Sequence, residues 1–241
     1  MRPTRLALAA AMLPLALLIR WGDPVHDLVP GRDSARPAAG PAAPRPELTR
    51  RPAWGADEEL VRESPAYVEK VRAVFIHHTN HPNTYDCADV PAMLRGLQRD
   101  HVRRMGWDDI GYNYVVDRCG NIYEGRGGGV GRKVLGAHTR GFNTASVGIA
   151  ALGTFPAGAH VPRPMLDAVA AVAAWKLEPS ADPRGRVRLV STNSESRFHK
   201  GTEASLPVVA GHRDSFETRC PGEALYDALP WLRAEVARLR R

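Results

Sequence analysis

Side chains able to bind metal gather at three places in the chain. These are His77-His78, His138 within Gly136-Ala137-His138-Thr139, and His212 within Gly211-His212-Arg213-Asp214, with Cys220 following in Cys220-Pro221-Gly222. Imidazole nitrogen and thiolate sulfur are donors that zinc(II) takes tetrahedrally, and three protein ligands leave a fourth position for water, as catalytic sites do. His212 and Cys220 stand eight residues apart in a stretch leaving a strand, so they meet only if that stretch folds back. His77 and His78 are neighbours on a predicted strand and point to opposite faces. One ion therefore takes one of them at most, and the other has a different task. On spacing alone His77 reads equally as a ligand and as a packed core histidine, and Cys220 somewhat more readily as a buried free thiol.

The elements that must position these groups follow from the surrounding patterns. Val71-Arg72-Ala73-Val74-Phe75-Ile76 is a β-branched and aromatic run that predicts a buried strand delivering the two histidines at its C-terminal end. From Ala88, the apolar positions Val90, Met93, Leu94, Leu97 and Val102 recur at three and four, with Pro91 in the first turn, and predict an amphipathic helix ending near Met105-Gly106. Tyr112–Asp117 and Asn121–Glu124 flank a Cys-Gly turn and predict a hairpin. Ser146–Leu152 predicts a further strand, Met165–Trp175 a buried helix, Pro207–Gly211 a last strand and Glu223–Leu239 a last helix. The stretch from Glu178 to Ser205 reads as an extended insertion with one small strand, Arg186 to Val190. Irregular alternation with one hairpin predicts a three-layer α/β domain, its central mixed sheet covered by helices on both faces.

A chain of 241 residues, 44% hydrophobic and 24% charged, buries one good core. The expected organisation is a leader over residues 1–29, a Pro/Ala-rich linker over 30–46 and a folded domain over 47–241. Arg2 and Arg5 followed by the apolar run Leu6–Ile19 fit a secretory signal. No small-x-small cleavage site follows promptly, so an uncleaved N-terminal membrane anchor stays open beside it. Export makes paired cysteines oxidise, and a Cys87–Cys119 bridge would tie helix to hairpin, leaving Cys220 over. The net charge of +7 suits an anionic partner such as a wall polymer. Of the 33 basic residues only Lys70, Lys133, Lys176 and Lys200 are lysine, a bias that speaks more of base composition than of a ligand. With no basic helix, no zinc-finger spacing and no basic strip interleaved with aromatics, no nucleic-acid partner is expected.

Six blocks stand in fixed order: Arg51-Pro52-Ala53-Trp54-Gly55-Ala56, Ile76-His77-His78-Thr79, Asp109-Ile110-Gly111-Tyr112-Asn113-Tyr114, Ile122-Tyr123-Glu124-Gly125-Arg126, Gly136-Ala137-His138-Thr139-Arg140-Gly141-Phe142-Asn143, and Gly211-His212-Arg213-Asp214 with Cys220-Pro221-Gly222. In these the chain resembles peptidoglycan recognition proteins and type 2 N-acetylmuramoyl-L-alanine amidases, from about Arg51 to the C-terminus, with an insertion like that of actinobacterial members. The resemblance implies zinc held by His77, His212 and Cys220. It places Tyr112 and Thr218 at the catalytic centre, and His138 and Asn143 against the muropeptide. Non-catalytic recognition members typically lack the cysteine, often with serine in its place, so Cys220 favours an enzyme cutting between N-acetylmuramic acid and L-alanine. The alternative is a peptidoglycan-binding module without catalysis. A structural zinc site is a third reading, and it needs His78 or Asp214 as a fourth ligand.

The implied setting is secreted or wall-associated, with peptidoglycan as partner and the chain acting as a monomer. Glu124 and Arg126 are expected to pair with each other. Gly125–Gly131 lacks the Gly-x-Gly-x-x-Gly register and is expected to be a flexible rim loop. Gly127-Gly128 stands where members preferring diaminopimelate stems often carry Gly-Trp, so the stem preference stays open.

Overall fold

The computed structural model describes residues 43–241; the expected leader and most of the expected linker lie outside the described residues. Ala43 already packs into the main core. Among the described residues no helix is long and apolar enough to cross a membrane.

The described residues begin their regular structure with a single helical turn, α1 (Arg51–Trp54), followed by β1 (Ala73–His78), every residue of which is buried. Helix α2 (Val90–Arg99) follows, prolonged by a wider π turn over Asp100–Arg104. Next come the antiparallel pair β2 (Tyr114–Val116) and β3 (Ile122–Glu124), then β4 (Ser146–Ala151) and helix α3 (Arg163–Lys176). A separate hairpin, β5 (Arg186–Val190) with β6 (Glu203–Pro207), precedes β7 (Val209–Gly211), α4 (Glu223–Asp227) and α5 (Leu229–Leu239).

The five-stranded sheet runs β3-β2-β4-β1-β7, and all its pairings are parallel except β2–β3. Side chains of β1 alternate across it, as the pleat requires. Val74 and Ile76 join the α3 and α5 residues in one core. Ala73 and Phe75 face the other way, toward Phe142 and the inner residues Leu189, Ala204 and Leu206 of the β5–β6 hairpin. Helix α2 covers the rest of that second face, through Val90, Leu94 and Leu97 against Val115 and Ala150. The sheet thus lies between two layers, the architecture expected, although the second layer is shared by a helix and a hairpin.

Three local expectations are corrected. The Glu178–Ser205 insertion holds a second strand, β6, in which Ala204 and Leu206 point inward and Glu203 and Ser205 outward. Two apolar residues in five are too short an alternation to stand out. Pro207 closes that strand, so β7 starts two residues later than expected. The last helix breaks at Ala228, where α5 starts afresh with Pro230 in its first turn, because proline has no N–H to continue the preceding helix. The Cys87–Cys119 disulfide is formed, tying the turn before α2 to the β2–β3 turn.

Candidate metal centre and groove

His77 is the penultimate residue of β1, an interior strand between β4 and β7, and is fully buried on the face of the sheet shared by α2 and the hairpin. Strand β7 lies parallel to β1, with Gly211 beside Ile76, and runs straight into a single 3-10 turn, His212–Asp214. That register sets the His212 ring against His77, with ring centroids 4.5 Å apart. The stretch beyond folds back on itself. The Arg213 N–H donates to the Cys220 carbonyl at 3.0 Å, and the Gly222 N–H to the Arg219 carbonyl at 2.8 Å. The Arg213 guanidinium bonds the Arg219 carbonyl at 2.7 Å.

Cys220 Sγ therefore stands 3.7 Å from His77 Nδ1 and accepts the His78 backbone N–H at 3.3 Å. One ligand atom from each of His77, His212 and Cys220 lies within 4.8 Å of the other two.

Burial decides the protonation of these donors. It pushes His77 well below the ordinary histidine range, with His212 adding to the effect, and takes His212 itself to about 4. Both imidazoles are neutral at neutral pH and keep a lone pair for a cation. Burial pushes the Cys220 thiol up to about 12, so it holds its proton until a cation displaces it. Two neutral imidazoles and a thiol, converging within ligand distance of one another, suit zinc.

His78 offers no ligand atom to this group, and its Nδ1 is buried without a hydrogen-bond partner among the described residues. Asp214 is committed elsewhere: its carboxylate accepts the Gly211 N–H at 2.9 Å and the Tyr226 hydroxyl at 2.6 Å. Neither residue joins the cluster as a fourth ligand.

A groove crosses the cluster in two arms of about 430 and 730 Å³. His78, Asn80, Thr218 and Cys220 line both. Tyr112, His138 and Asn143 line the first arm. The Tyr112 ring lies 5.2 Å from that of His77, and its hydroxyl donates a long 3.4 Å bond to the His78 carbonyl. Burial raises its pKa, so it stays a neutral donor. Thr218 Oγ1 accepts the Cys220 N–H at 3.1 Å, which leaves its hydroxyl proton free to donate. Asn143 Oδ1 accepts the backbone N–H groups of His138 and Thr139 at 3.1 and 3.0 Å and so shapes the turn that presents His138. The His138 ring is 5% exposed, and its Nδ1 is 3.1 Å from His77 Nε2.

His101 also belongs to this neighbourhood, though its sequence context alone does not single it out. Its buried ring packs 5.5 Å from Tyr112 and 4.6 Å from Trp107, and its Nδ1 accepts the Gly111 N–H at 3.1 Å. The signal was a histidine continuing the Leu94–Leu97 stripe at helical spacing.

The expected Glu124–Arg126 pair does not form. Glu124 accepts the Arg51 backbone N–H at 3.2 Å, while Arg126 pairs with Asp108 at 3.2 Å. The reason is competition from α1, whose buried Arg51 also bonds Asp109 at 3.0 Å. Residues 125–131 line neither arm of the groove. They are held down instead, with the Gly127 N–H on Asp109 at 2.8 Å and the Val130 carbonyl on the Tyr114 hydroxyl at 2.7 Å.

Comparison with known proteins bears on this arrangement. The profile of the N-acetylmuramoyl-L-alanine amidase family matches residues 67–223. The chain is 34% identical to an N-acetylmuramoyl-L-alanine amidase of Sus scrofa over 188 residues, 76% of this chain and 27% of that protein. It is 30% identical to peptidoglycan-recognition protein SC2 of Drosophila melanogaster over 176 residues, 73% of this chain and 80% of the other. Among solved structures, peptidoglycan recognition protein-LE in complex with tracheal cytotoxin, a monomeric diaminopimelic acid-type peptidoglycan, superposes with a TM-score of 0.59 at 26% identity. That match covers 76% of this chain and 92% of the other.

Proposed function

Because this chain belongs to the N-acetylmuramoyl-L-alanine amidase family, we propose that it is a zinc-dependent amidase hydrolysing the bond between N-acetylmuramic acid and L-alanine of peptidoglycan. The observation that carries this reading is the convergence of His77, His212 and Cys220, the last two of which line a groove. When bound there, zinc supplies Lewis acidity toward the scissile carbonyl and makes water acidic enough to react near neutral pH.

The protein's own groups do the rest. A thiolate gives a cation more charge than a third imidazole would, so neutral donors near the developing oxyanion have more to contribute. The Tyr112 hydroxyl, held only by its long bond to the His78 carbonyl, is free to turn toward that oxyanion. Thr218 offers a second, smaller donation. Asn143, its Oδ1 engaged by the chain, has its amide N–H groups left for the muropeptide, and His138 forms the adjoining wall.

The same groove serves a binding module without catalysis, but the thiol beside His77 favours the enzyme. The chain's net charge of +7 supports contact with anionic wall polymers, and the signal-like residues 1–29 support export to the wall. The test is digestion of purified peptidoglycan by the zinc-loaded and the chelated protein, with products analysed by mass. Free stem peptides ending in N-terminal L-alanine are expected only with metal. Wall binding without such products establishes the binding module instead.

A further inference from the structure

A chain of hydrogen bonds leads from His77 away from the cluster and ends on the backbone. Ser146 Oγ lies 2.7 Å from the Phe142 carbonyl, which can only accept, so the hydroxyl proton is committed there. The same oxygen lies 3.4 Å from His138 Nε2, and with its proton spent it can only accept from that nitrogen. His138 Nε2 therefore carries the ring's single proton, since a neutral imidazole has one N–H and one lone pair. His138 Nδ1 is then the lone-pair nitrogen, and at 3.1 Å it accepts from His77 Nε2. His77 is left with a bare Nδ1, the nitrogen 3.7 Å from Cys220 Sγ.

We infer that His138 is a positioning residue that fixes the tautomer and ring orientation of His77, through a relay His77–His138–Ser146–Phe142 carbonyl. This rests on the reading of His77 as a zinc ligand and deepens it by naming which nitrogen is presented. Metal-binding histidines generally donate their other N–H to a carboxylate, a backbone carbonyl or water. Here an imidazole takes that place and passes the demand on to a serine.

The surroundings are built to admit this ring. His77 and Ser146 are fully buried. A Cβ on Gly148, in the middle of β4, would overlap the His138 ring, and one on Gly136 would meet its Cδ2 at 2.5 Å. Glycine inside a strand weakens it and marks close approach of another group. At Gly148 the group is His138. The relay also joins the groove wall to the cluster floor, because the turn carrying His138 and Asn143 is the one whose Phe142 carbonyl ends it.

Two measurements test the relay on the full chain. Long-range 15N–1H NMR of the metal-free wild type should find His77 as the Nε2–H tautomer and His138 likewise; a proton on His77 Nδ1 overturns the inference without any variant being needed. Zinc affinity by competition with a chromogenic chelator should fall about 10- to 100-fold in His138→Ala. It should recover largely in His138→Asn, whose Oδ1 can accept in place of Nδ1. Wild-type affinity in His138→Ala, or an equal loss in both variants, reduces the residue to packing and refutes the role. A wild type that takes up no zinc defeats the amidase reading instead, and the tautomer of His77 still decides the relay.

Discussion

Replacing Tyr112 by phenylalanine separates catalysis from packing, because the structure gives the hydroxyl almost nothing else to do. Among the described residues its one hydrogen-bond partner is the His78 carbonyl at 3.4 Å, at the long end of hydrogen-bond range. Losing it should destabilise the fold by less than about 1 kcal/mol, a fall in Tm of about 4 °C at most for a domain of this size. The ring contacts at 5.2 Å to His77 and 5.5 Å to His101 survive in phenylalanine. If the hydroxyl donates to the developing oxyanion, turnover should drop about 10²- to 10³-fold, or about 2.7–4 kcal/mol of barrier. The assay is stem-peptide release from peptidoglycan, with kcat and KM read separately and zinc content and Tm measured on the same preparation. A large fall in kcat with KM, zinc and Tm held is the expected result. Turnover within twofold of wild type would remove Tyr112 from the chemistry. A fall matched by loss of zinc would show the effect passing through His77 and equally refute the donor role.

Cys220→Ser should abolish stoichiometric zinc binding and activity while leaving the fold intact, since the sulfur's other partners are the His78 N–H and the His77 ring; full activity would take Cys220 out of the mechanism. Removing both Cys87 and Cys119 opens a link between residues 32 apart and should cost about 3–4 kcal/mol in urea unfolding by the chain-entropy account; an unchanged midpoint contradicts it. Burial holds His101 at about 4 in the folded state, against about 6.5 unfolded. Below pH 6.5 the unfolded chain therefore takes up this proton first, so stability is full above 6.5, declines as pH falls and levels off below about 4. Metal-free His101→Asn should lose about 1.5 kcal/mol less than wild type between pH 6.5 and 5.0, and parallel curves would show that His101 takes up its proton in the fold as readily as in the unfolded chain.

What the sequence determined by itself is what local patterns can carry. The β-branched run before His77 announces a buried strand, the three-and-four spacing from Val90 to Leu97 announces α2, and a Cys-Gly turn between two aromatic runs announces the β2–β3 hairpin. Two cysteines flanking that helix and turn announce the bridge that forms. The six ordered blocks name the residue types of the site. None of this says which nitrogen of His77 faces the cluster, or that His138 stands behind it. Those facts depend on pairs 143 and 61 residues apart, brought together by the parallel registers of β7 and β4 on β1. Because side chains alternate along a strand, a slip of one residue in either register would send His77 or its partners to the opposite face. The same holds for Glu124 and Arg126, where a residue from α1 outbids the near neighbour. It also holds for β6, whose two apolar residues acquire meaning only against Phe142 and Phe75. A local pattern constrains a residue's own element; which distant groups it meets is decided by how the elements pack, and there the tertiary structure alone decides.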